Sequence, residues 1–323
     1  MKEKGIVFGN GFLGKRVADE LNFFLSDFNI IPGDDDNRKK LKELLDKEKP
    51  SVLVNAIGKT DYKWCENNKE QAENSNVNVP MQLADYCSER GIYFIHFGTG
   101  SIYEYCYGKE YTEEDKPNFI ENIYTKTKIK AEKKLKEKSE QNSNSKILQI
   151  RIVYPIDYTK NDKNLLTKIL NYKTVFNLKH SITVVPDMLN ALKALIEKRS
   201  LGIYNIVNRV IISISDILEI YNIIPDKENK FSNDTNLISG SHKGNKFFND
   251  THHYNYSHKG SVLAKKLEFE VLNLDEFEKS NSRKRSLCIL STKKLMDDGI
   301  EMPEVYGSVE NCLIKYRENL QKF

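Results

Sequence analysis

The chain of 323 residues carries 50 basic and 46 acidic residues spread along most of its length, a formal net charge of +4, which argues against a nucleic-acid-binding protein. Its five cysteines are scattered without CxxC spacing, which argues against a disulfide framework and predicts free thiols. No apolar run approaches the ~18 residues of a membrane span, and Met1 leads into a strand-like segment without a signal-peptide pattern, so we expect a cytoplasmic protein that does not enter a membrane.

Strand and helix patterns alternate through the first half of the chain. In chain order they predict a strand at 6–8, a helix at 12–24, a strand around 29–31, a helix at 41–47, a strand at 51–57, a helix at 77–90, a strand at 93–97, a helix at 124–138 and a strand at 147–152. This alternation is typical of parallel strands joined by crossover helices. We therefore predict an α/β fold with a Rossmann-type, doubly wound parallel sheet.

The second half of the chain is less regular. Helices are predicted at 164–170, 186–198, 215–222 and 308–320, and a strand at 202–207. We interpret residues 1–155 as a dinucleotide-binding domain and residues 156–323 as mainly a smaller, interleaved substrate lobe, with elements within 182–215 returning to the sheet. Residues 231–269 are rich in polar residues and predict a mobile insertion. Its histidines lack the spacing of a tetrahedral site, so no metal site is predicted.

A glycine-rich turn lies between the first strand and the first helix. Glycine allows the backbone to turn sharply and to approach a pyrophosphate, whose charge then meets the N–H groups of the helix. The context favours dinucleotide binding over an ordinary turn, which is the alternative. The residues of this predicted cofactor site are Gly9, Asn10, Gly11, Phe12, Leu13 and Gly14.

The segment after the predicted second strand bears on the choice between NADH and NADPH. An aspartate in the run Asp34-Asp35-Asp36 could bind a ribose hydroxyl and favour NADH, whereas Lys15 or Arg16 could attract a 2′-phosphate and favour NADPH. A solvated loop is the alternative for the aspartate run. The sequence is therefore compatible with either NADH or NADPH as the cofactor.

Tyr124 and Lys128 are spaced by four residues and therefore share one face of a predicted helix. A phenol ordinarily has a pKa near ~10, so it needs a neighbouring cation to exchange a proton near neutrality. Thr99 follows a predicted strand, where its hydroxyl can meet a substrate carbonyl at the carboxyl edge of the sheet. A surface pair on a helix is the alternative for Tyr124 and Lys128, but the order of turn, loop and helix favours a catalytic set.

With these features the sequence resembles the extended short-chain dehydrogenase/reductases that act on nucleotide sugars, and most closely the 3,5-epimerase/4-reductase branch of rhamnose biosynthesis. The resemblance covers nearly the whole chain outside 231–269. Its motifs are VNAIG at 54–58, WCE at 64–66, FGTGSIYEY at 97–105, EEDKPNF at 113–119, YTKTK at 124–128, RIVYPI at 151–156, NLLTKI at 164–169, SITV at 181–184 and GIYN at 202–205, with Arg285, Ser286, Lys294 and Leu295 further on.

The resemblance implies reduction of a UDP- or dTDP-linked 4-keto-6-deoxy sugar by NADPH or NADH, with a homodimer as one option for the assembly. It implies that Asn55, Ala56, Gly58, Tyr124 and Lys128 contact the cofactor. The implied substrate contacts are Thr99, Ser101, Ile102, Tyr103, Asn164, Lys168 and Arg285.

One departure from the family pattern concerns epimerisation. The bifunctional enzymes carry a cysteine where this chain has Ser101, and the resemblance pairs it with Lys168 as the epimerising acid and base. An alkanol is a far weaker acid than a thiol, so Ser101 argues against epimerase activity. A second departure is the compact GxGxxG turn, which is one residue shorter than is usual in the family.

Three functions follow as hypotheses. The first is a UDP-linked 4-keto-sugar reductase, and the second is a reductase of the dTDP-linked equivalent. The third is a non-catalytic, dinucleotide-binding regulatory subunit. The complete set of Thr99, Tyr124 and Lys128 favours catalysis, because a purely regulatory protein has no need of it.

Overall fold

A computed structural model describes residues 3–106, 108–224, 267–273, 276 and 286–320. Arg285 and nearly all of the predicted insertion at 231–269 lie outside the described residues. No helix within these described ranges combines the length and the apolar character that crossing a membrane requires.

Strands and helices alternate through the first half of the chain, as the sequence pattern indicates. The strands are β1 Gly5–Phe8, β2 Phe24–Ser26, β3 Val52–Asn55, β4 Tyr93–Phe97, β5 Glu110–Tyr111, β6 Ile147–Arg151, β7 Thr174–Phe176, β8 Gly202–Asn205, β9 Glu270–Leu272 and β10 Ile289–Leu290. The helices are α1 Phe12–Leu21, α2 Asp35–Glu48, α3 Tyr62–Asn67, α4 Lys69–Glu73, α5 Val79–Arg90, α6 Ile123–Gln141, α7 Leu165–Ile169, α8 Val185–Lys198, α9 Ile214–Ile223, α10 Lys293–Asp297 and α11 Val305–Leu320, with a π-helical turn at Asn74–Asn78.

The main sheet has six parallel strands in the order β2-β1-β3-β4-β6-β8. One face packs against α1 and α8, and the other packs against α2, α5 and α6. Central strands are buried on both faces, as the unbroken apolar run at Val52–Val54 predicts. The predicted doubly wound fold is therefore confirmed. Strand order reverses between β1 and β3, and such a switch point is where open α/β sheets bind ligands.

The second strand lies earlier in the chain than the sequence pattern predicts. Helix α1 ends at Leu21, because Asn22 adopts a left-handed conformation with φ of 53°, and β2 then begins at Phe24. The segment predicted as a strand, 29–31, is a loop held by the Asn37 side chain. That amide accepts from the N–H of Ile31 and donates to the carbonyl of Asn29.

A second apolar cluster fills the smaller lobe. It begins at Ile156, includes residues of α7, α9 and α11, and extends to Tyr316. Between its parts, the chain returns to the main sheet through α8 and β8, which pack with the first lobe. The two lobes are thus interleaved in sequence, and the chain crosses between them directly beside the carboxyl edge of the sheet.

Candidate active site

A cavity of about 240 Å³ opens at the carboxyl ends of β1, β3, β4 and β6. The register explains why these ends meet, since Phe8 of β1 lies opposite Asn55 of β3, and Phe97 of β4 lies opposite Ile150 of β6. Its lining residues are Gly11, Phe12, Leu13, Ala56, Ile57, Gly58, Thr60, Tyr62, Phe97, Gly98, Thr99, Ser101, Tyr124, Lys128, Ile152, Val153, Tyr154, Pro155 and Lys163.

The glycine turn forms one wall of this cavity. Gly9 has a φ of +106°, and a Cβ on Gly14 would lie 1.7 Å from the carbonyl oxygen of Gly9, so the turn requires glycine at both positions. Gly11 precedes α1 without a side-chain cap, which leaves the first N–H groups of the helix uncapped, and no atom lies within 4 Å of a Cβ built on it. This open, uncapped turn fits a dinucleotide pyrophosphate.

Three residues at the end of β3 and just after it are expected to contact the cofactor, and they divide into two groups. Ala56 and Gly58 line the cavity, as does the intervening Ile57. Asn55 is fully buried, and its amide accepts from the N–H of Ile57 and contacts Nδ1 of His96. Asn55 therefore shapes the loop from within the sheet.

Thr99 and Ser101 lie on the loop that follows β4, and both line the cavity. The hydroxyl of Thr99 accepts from the N–H of Ser101 at 3.1 Å. Since that bond uses a lone pair, the Thr99 proton stays available for a second partner. Tyr124 is within hydrogen-bonding reach of Thr99.

Tyr124 and Lys128 project from the first turns of α6 into the same end of the cavity. The helix is fixed there by Asn122, whose side chain accepts from the N–H of Thr125. Lys128 is 7% exposed and donates to the carbonyl of Phe97 at 2.6 Å. Burial lowers the pKa of Lys128 to about 8. Burial also raises the pKa of Tyr124, against a smaller opposing effect of the Thr99 hydrogen bond.

Four of the residues expected to contact substrate lie elsewhere in the described structure. Ile102 and Tyr103 are buried behind the loop, where the Tyr103 hydroxyl donates to the carbonyl of Asp115. Asn164 is fully buried and caps α7 by accepting from the N–H of Leu166. Lys168 is exposed on α7 and is absent from the described lining of the cavity.

The cavity also contains polar side chains that the sequence reasoning missed. Lys163 reaches it from the loop before α7, five residues ahead of the lysine that was expected. Tyr62 reaches it from α3, and its ring centre lies 5.1 Å from that of Tyr124. The spacing of residues gave no signal for either, because Lys163 lies on a loop and Tyr62 begins a short helix that the sequence pattern does not predict.

The structure also places the residues that bear on the choice between NADH and NADPH. The guanidinium of Arg16 is engaged by the smaller lobe, since its Nε donates to Asp157 at 2.8 Å and its Nη2 donates to the Tyr158 hydroxyl at 2.9 Å. The aspartates of the predicted acidic run begin α2, where Asp34 is the N-cap. The acidic residue that directly follows β2 is Asp27.

The model of the family described as RmlD substrate binding domain matches residues 6–191 of the chain. A bifunctional dTDP-4-dehydrorhamnose 3,5-epimerase/dTDP-4-dehydrorhamnose reductase of Arabidopsis thaliana is 34% identical over 194 residues, which are 57% of this chain and 63% of that protein. A trifunctional UDP-glucose 4,6-dehydratase/UDP-4-keto-6-deoxy-D-glucose 3,5-epimerase/UDP-4-keto-L-rhamnose-reductase of the same plant is 32% identical over 210 residues, 62% of this chain and 30% of that protein. The chain thus spans less than two thirds of the length of these curated relatives.

Two solved structures share the fold over nearly their whole length. The L780 UDP-rhamnose synthase of Acanthamoeba polyphaga mimivirus has a TM-score of 0.75 and 21% identity, with 98% of this chain and 100% of that chain covered. The dTDP-4-dehydrorhamnose reductase of Bacillus anthracis, solved in complex with NADP, has a TM-score of 0.72 and 18% identity, with 97% and 99% covered. At these identities the likeness establishes the fold.

Proposed function

We propose that this chain, which belongs to the RmlD substrate binding domain family, reduces the 4-keto group of a nucleotide-linked 6-deoxyhexose with NADPH or NADH. The observation that carries the proposal is a single cavity lined by Thr99, Tyr124 and Lys128 on one side and by the dinucleotide turn on the other. A UDP-linked sugar is the favoured substrate and a dTDP-linked sugar the alternative. The activities named for the curated relatives support this substrate class.

The side chains of the cavity supply the acid chemistry that such a reduction requires. A bound nicotinamide supplies the hydride. Tyr124 protonates the alkoxide that develops on the sugar C4 oxygen, and the Thr99 hydroxyl donates a hydrogen bond to that oxygen. The Lys128 ammonium stabilises the phenolate that Tyr124 becomes, so that protonation is favourable although the phenol is buried. Gly11, Phe12 and Leu13 would hold the pyrophosphate at the start of α1.

The proposal is confined to reduction. Epimerisation at C3 and C5 requires one group that removes a proton and another that returns a proton on the opposite face. Ser101 lines the cavity but is a poor proton carrier, and Lys168 is exposed on α7. Incubation of the keto-sugar with the protein in heavy water, without reduced cofactor, is expected to leave C3 and C5 unlabelled. Deuterium at either carbon would extend the proposal to epimerisation.

The reduction is tested by the oxidation of NADPH and NADH in the presence of UDP- and dTDP-linked 4-keto-6-deoxyglucose and of their 3,5-epimerised forms. NMR of the product identifies the reduced carbon. Turnover with at least one keto-sugar is expected. Tight binding of the dinucleotide without turnover of any of these sugars would overturn the proposal and favour a regulatory subunit.

A further inference from the structure

A buried ion pair lies directly behind the cavity, on the same helix as the proposed catalytic residues. Glu132 follows Lys128 by one helical turn and is 9% exposed. Arg151, the last residue of β6, is 1% exposed and holds this carboxylate with two bonds, from Nε at 2.8 Å and from Nη2 at 2.7 Å. In a buried setting such charges act on their neighbours with little screening.

The groups around the Lys128 ammonium come from two elements, helix α6 and strand β4. Helix α6 contributes Glu132, and β4 contributes the carbonyl of Phe97 and the imidazole of His96. The pKa of His96 is lowered well below its usual value, first by burial and then by the charge of Lys128, so this imidazole is neutral at pH 7. Among the described residues, Glu132 is therefore the anion whose field acts on Lys128.

Arg151 is held on the far side of Glu132 by further contacts. Its Nη1 donates to the carbonyl of Thr112, and its guanidinium lies 5.5 Å from the ring centre of Tyr103. The buried carboxyl of Glu113, which accepts from the N–H of Asn205, also faces it. The guanidinium is thus fixed in place beside the Glu132 carboxylate.

We propose that Glu132 and Arg151 form a positioning pair for Lys128, in which Glu132 holds the ammonium in its protonated form and Arg151 limits the strength of that effect. The inference rests on the proposed function, because a charged Lys128 is what stabilises the Tyr124 phenolate. The inference assigns opposite effects on the protonation of Lys128 to the two members of one ion pair. A pair that served only to join α6 to β6 would not have this property.

The first test measures the pH midpoint at which Lys128 becomes reactive, which requires no turnover. Trace acetylation with acetic anhydride across pH 6–11 is followed by fragmentation mass spectrometry to locate the label on Lys128. In Arg151→Met the midpoint is expected to rise by on the order of one pH unit, because the carboxylate then acts on Lys128 alone. In the double variant E132Q/R151M, which removes both charges of the pair, the midpoint is expected to fall below that of the parent protein, because Lys128 then lacks the carboxylate that favours its protonated form.

The second test is the pH dependence of keto-sugar reduction in the same proteins. The rate is expected to fall as pH rises through the Lys128 midpoint. The alkaline limb of the pH–rate profile is therefore expected to shift to higher pH in R151M and to lower pH in the double variant. Glu137→Gln removes an exposed carboxylate of the same helix and is the matched control. Equal midpoints in all proteins, or shifts of the same sign, would overturn the inference. Shifted labelling midpoints without any reduction would instead count against the proposed function.

Discussion

The Tyr124 hydroxyl lies within hydrogen-bonding reach of Thr99, and Lys128 lines the same cavity. Tyr124→Phe removes the proton while it keeps the ring, so we expect kcat to fall by ~10²–10⁴ with little change in dinucleotide affinity. Steady-state kinetics and fluorescence titration with NADPH measure the two quantities. Tyr86→Phe, a buried tyrosine outside the cavity, is the control and should retain full activity. A comparable loss in both variants would contradict the assignment of Tyr124.

Asp27 stands at the end of β2, where acidic residues bind the ribose 2′-hydroxyl in dinucleotide folds. A carboxylate at this position repels a 2′-phosphate, so we expect the parent protein to prefer NADH. Asp27→Asn should raise the ratio of kcat/KM for NADPH to that for NADH by on the order of tenfold. Asp34→Asn, in the cap of α2, is the control and should leave the ratio unchanged. An unchanged ratio in Asp27→Asn would place the determinant elsewhere.

Residue spacing located the groups that share a regular element or directly follow one. Thr99 and Ser101 follow a strand and Tyr124 and Lys128 share a helix, and all four line one cavity. Lys163 escaped prediction because the direction of a loop depends on distant contacts. Here Asn164 fixes the loop by donating to the carbonyls of Asp157 and Thr159, a role that uses up the amide that was expected to meet substrate.

At the scale of elements, periodicity predicted the order of strands and helices but placed one strand too late. Apolar residues recur with helical spacing through positions 12–24, and nothing in that spacing marks the turn at Asn22 that ends α1. The apolar pair Ile30 and Ile31 then resembled a strand, although Ile30 is buried within a loop. Boundaries of this kind depend on single backbone conformations, whereas the parallel order of the sheet follows from the whole alternation.

The turn between β1 and α1 provides a test of how closely these two elements must approach. Gly14→Ala would bring a Cβ to within 1.7 Å of the Gly9 carbonyl oxygen, and this contact is with backbone, which yields less readily than the end of a flexible side chain. We expect a loss of about 3 kcal/mol in the free energy of unfolding, at the upper end of overpacking effects, and weaker dinucleotide binding. Urea denaturation and NADPH titration measure both. The control is Gly307→Ala on α11, where a Cβ meets no atom within 4 Å. Equal stability of Gly14→Ala and the parent protein would mean that α1 moves away freely.

At the scale of the whole molecule, one ion pair joins α1 to the smaller lobe. Arg16 on α1 meets Asp157, whose carboxylate is fully buried and lies just beyond the cavity wall at Pro155. The hydroxyl of Thr159 donates to the same carboxylate oxygen as Arg16 does. The other oxygen, Oδ1, has no hydrogen-bond partner within the described structure. The charge of Asp157 is therefore compensated across the junction between the lobes.

Removal of this cation should cost far more than removal of an exposed one. In Arg16→Met the buried carboxylate loses its counter-charge, so we expect the free energy of unfolding to fall by ~3–5 kcal/mol. Lys193→Met removes the exposed Lys193–Glu20 pair, which also involves α1, and should cost at most ~1 kcal/mol. The double variant R16M/D157N should regain part of the loss, because it leaves no uncompensated charge. Urea denaturation of all four proteins provides the comparison, and similar losses in Arg16→Met and Lys193→Met would show that α1 and the smaller lobe are joined by apolar packing alone.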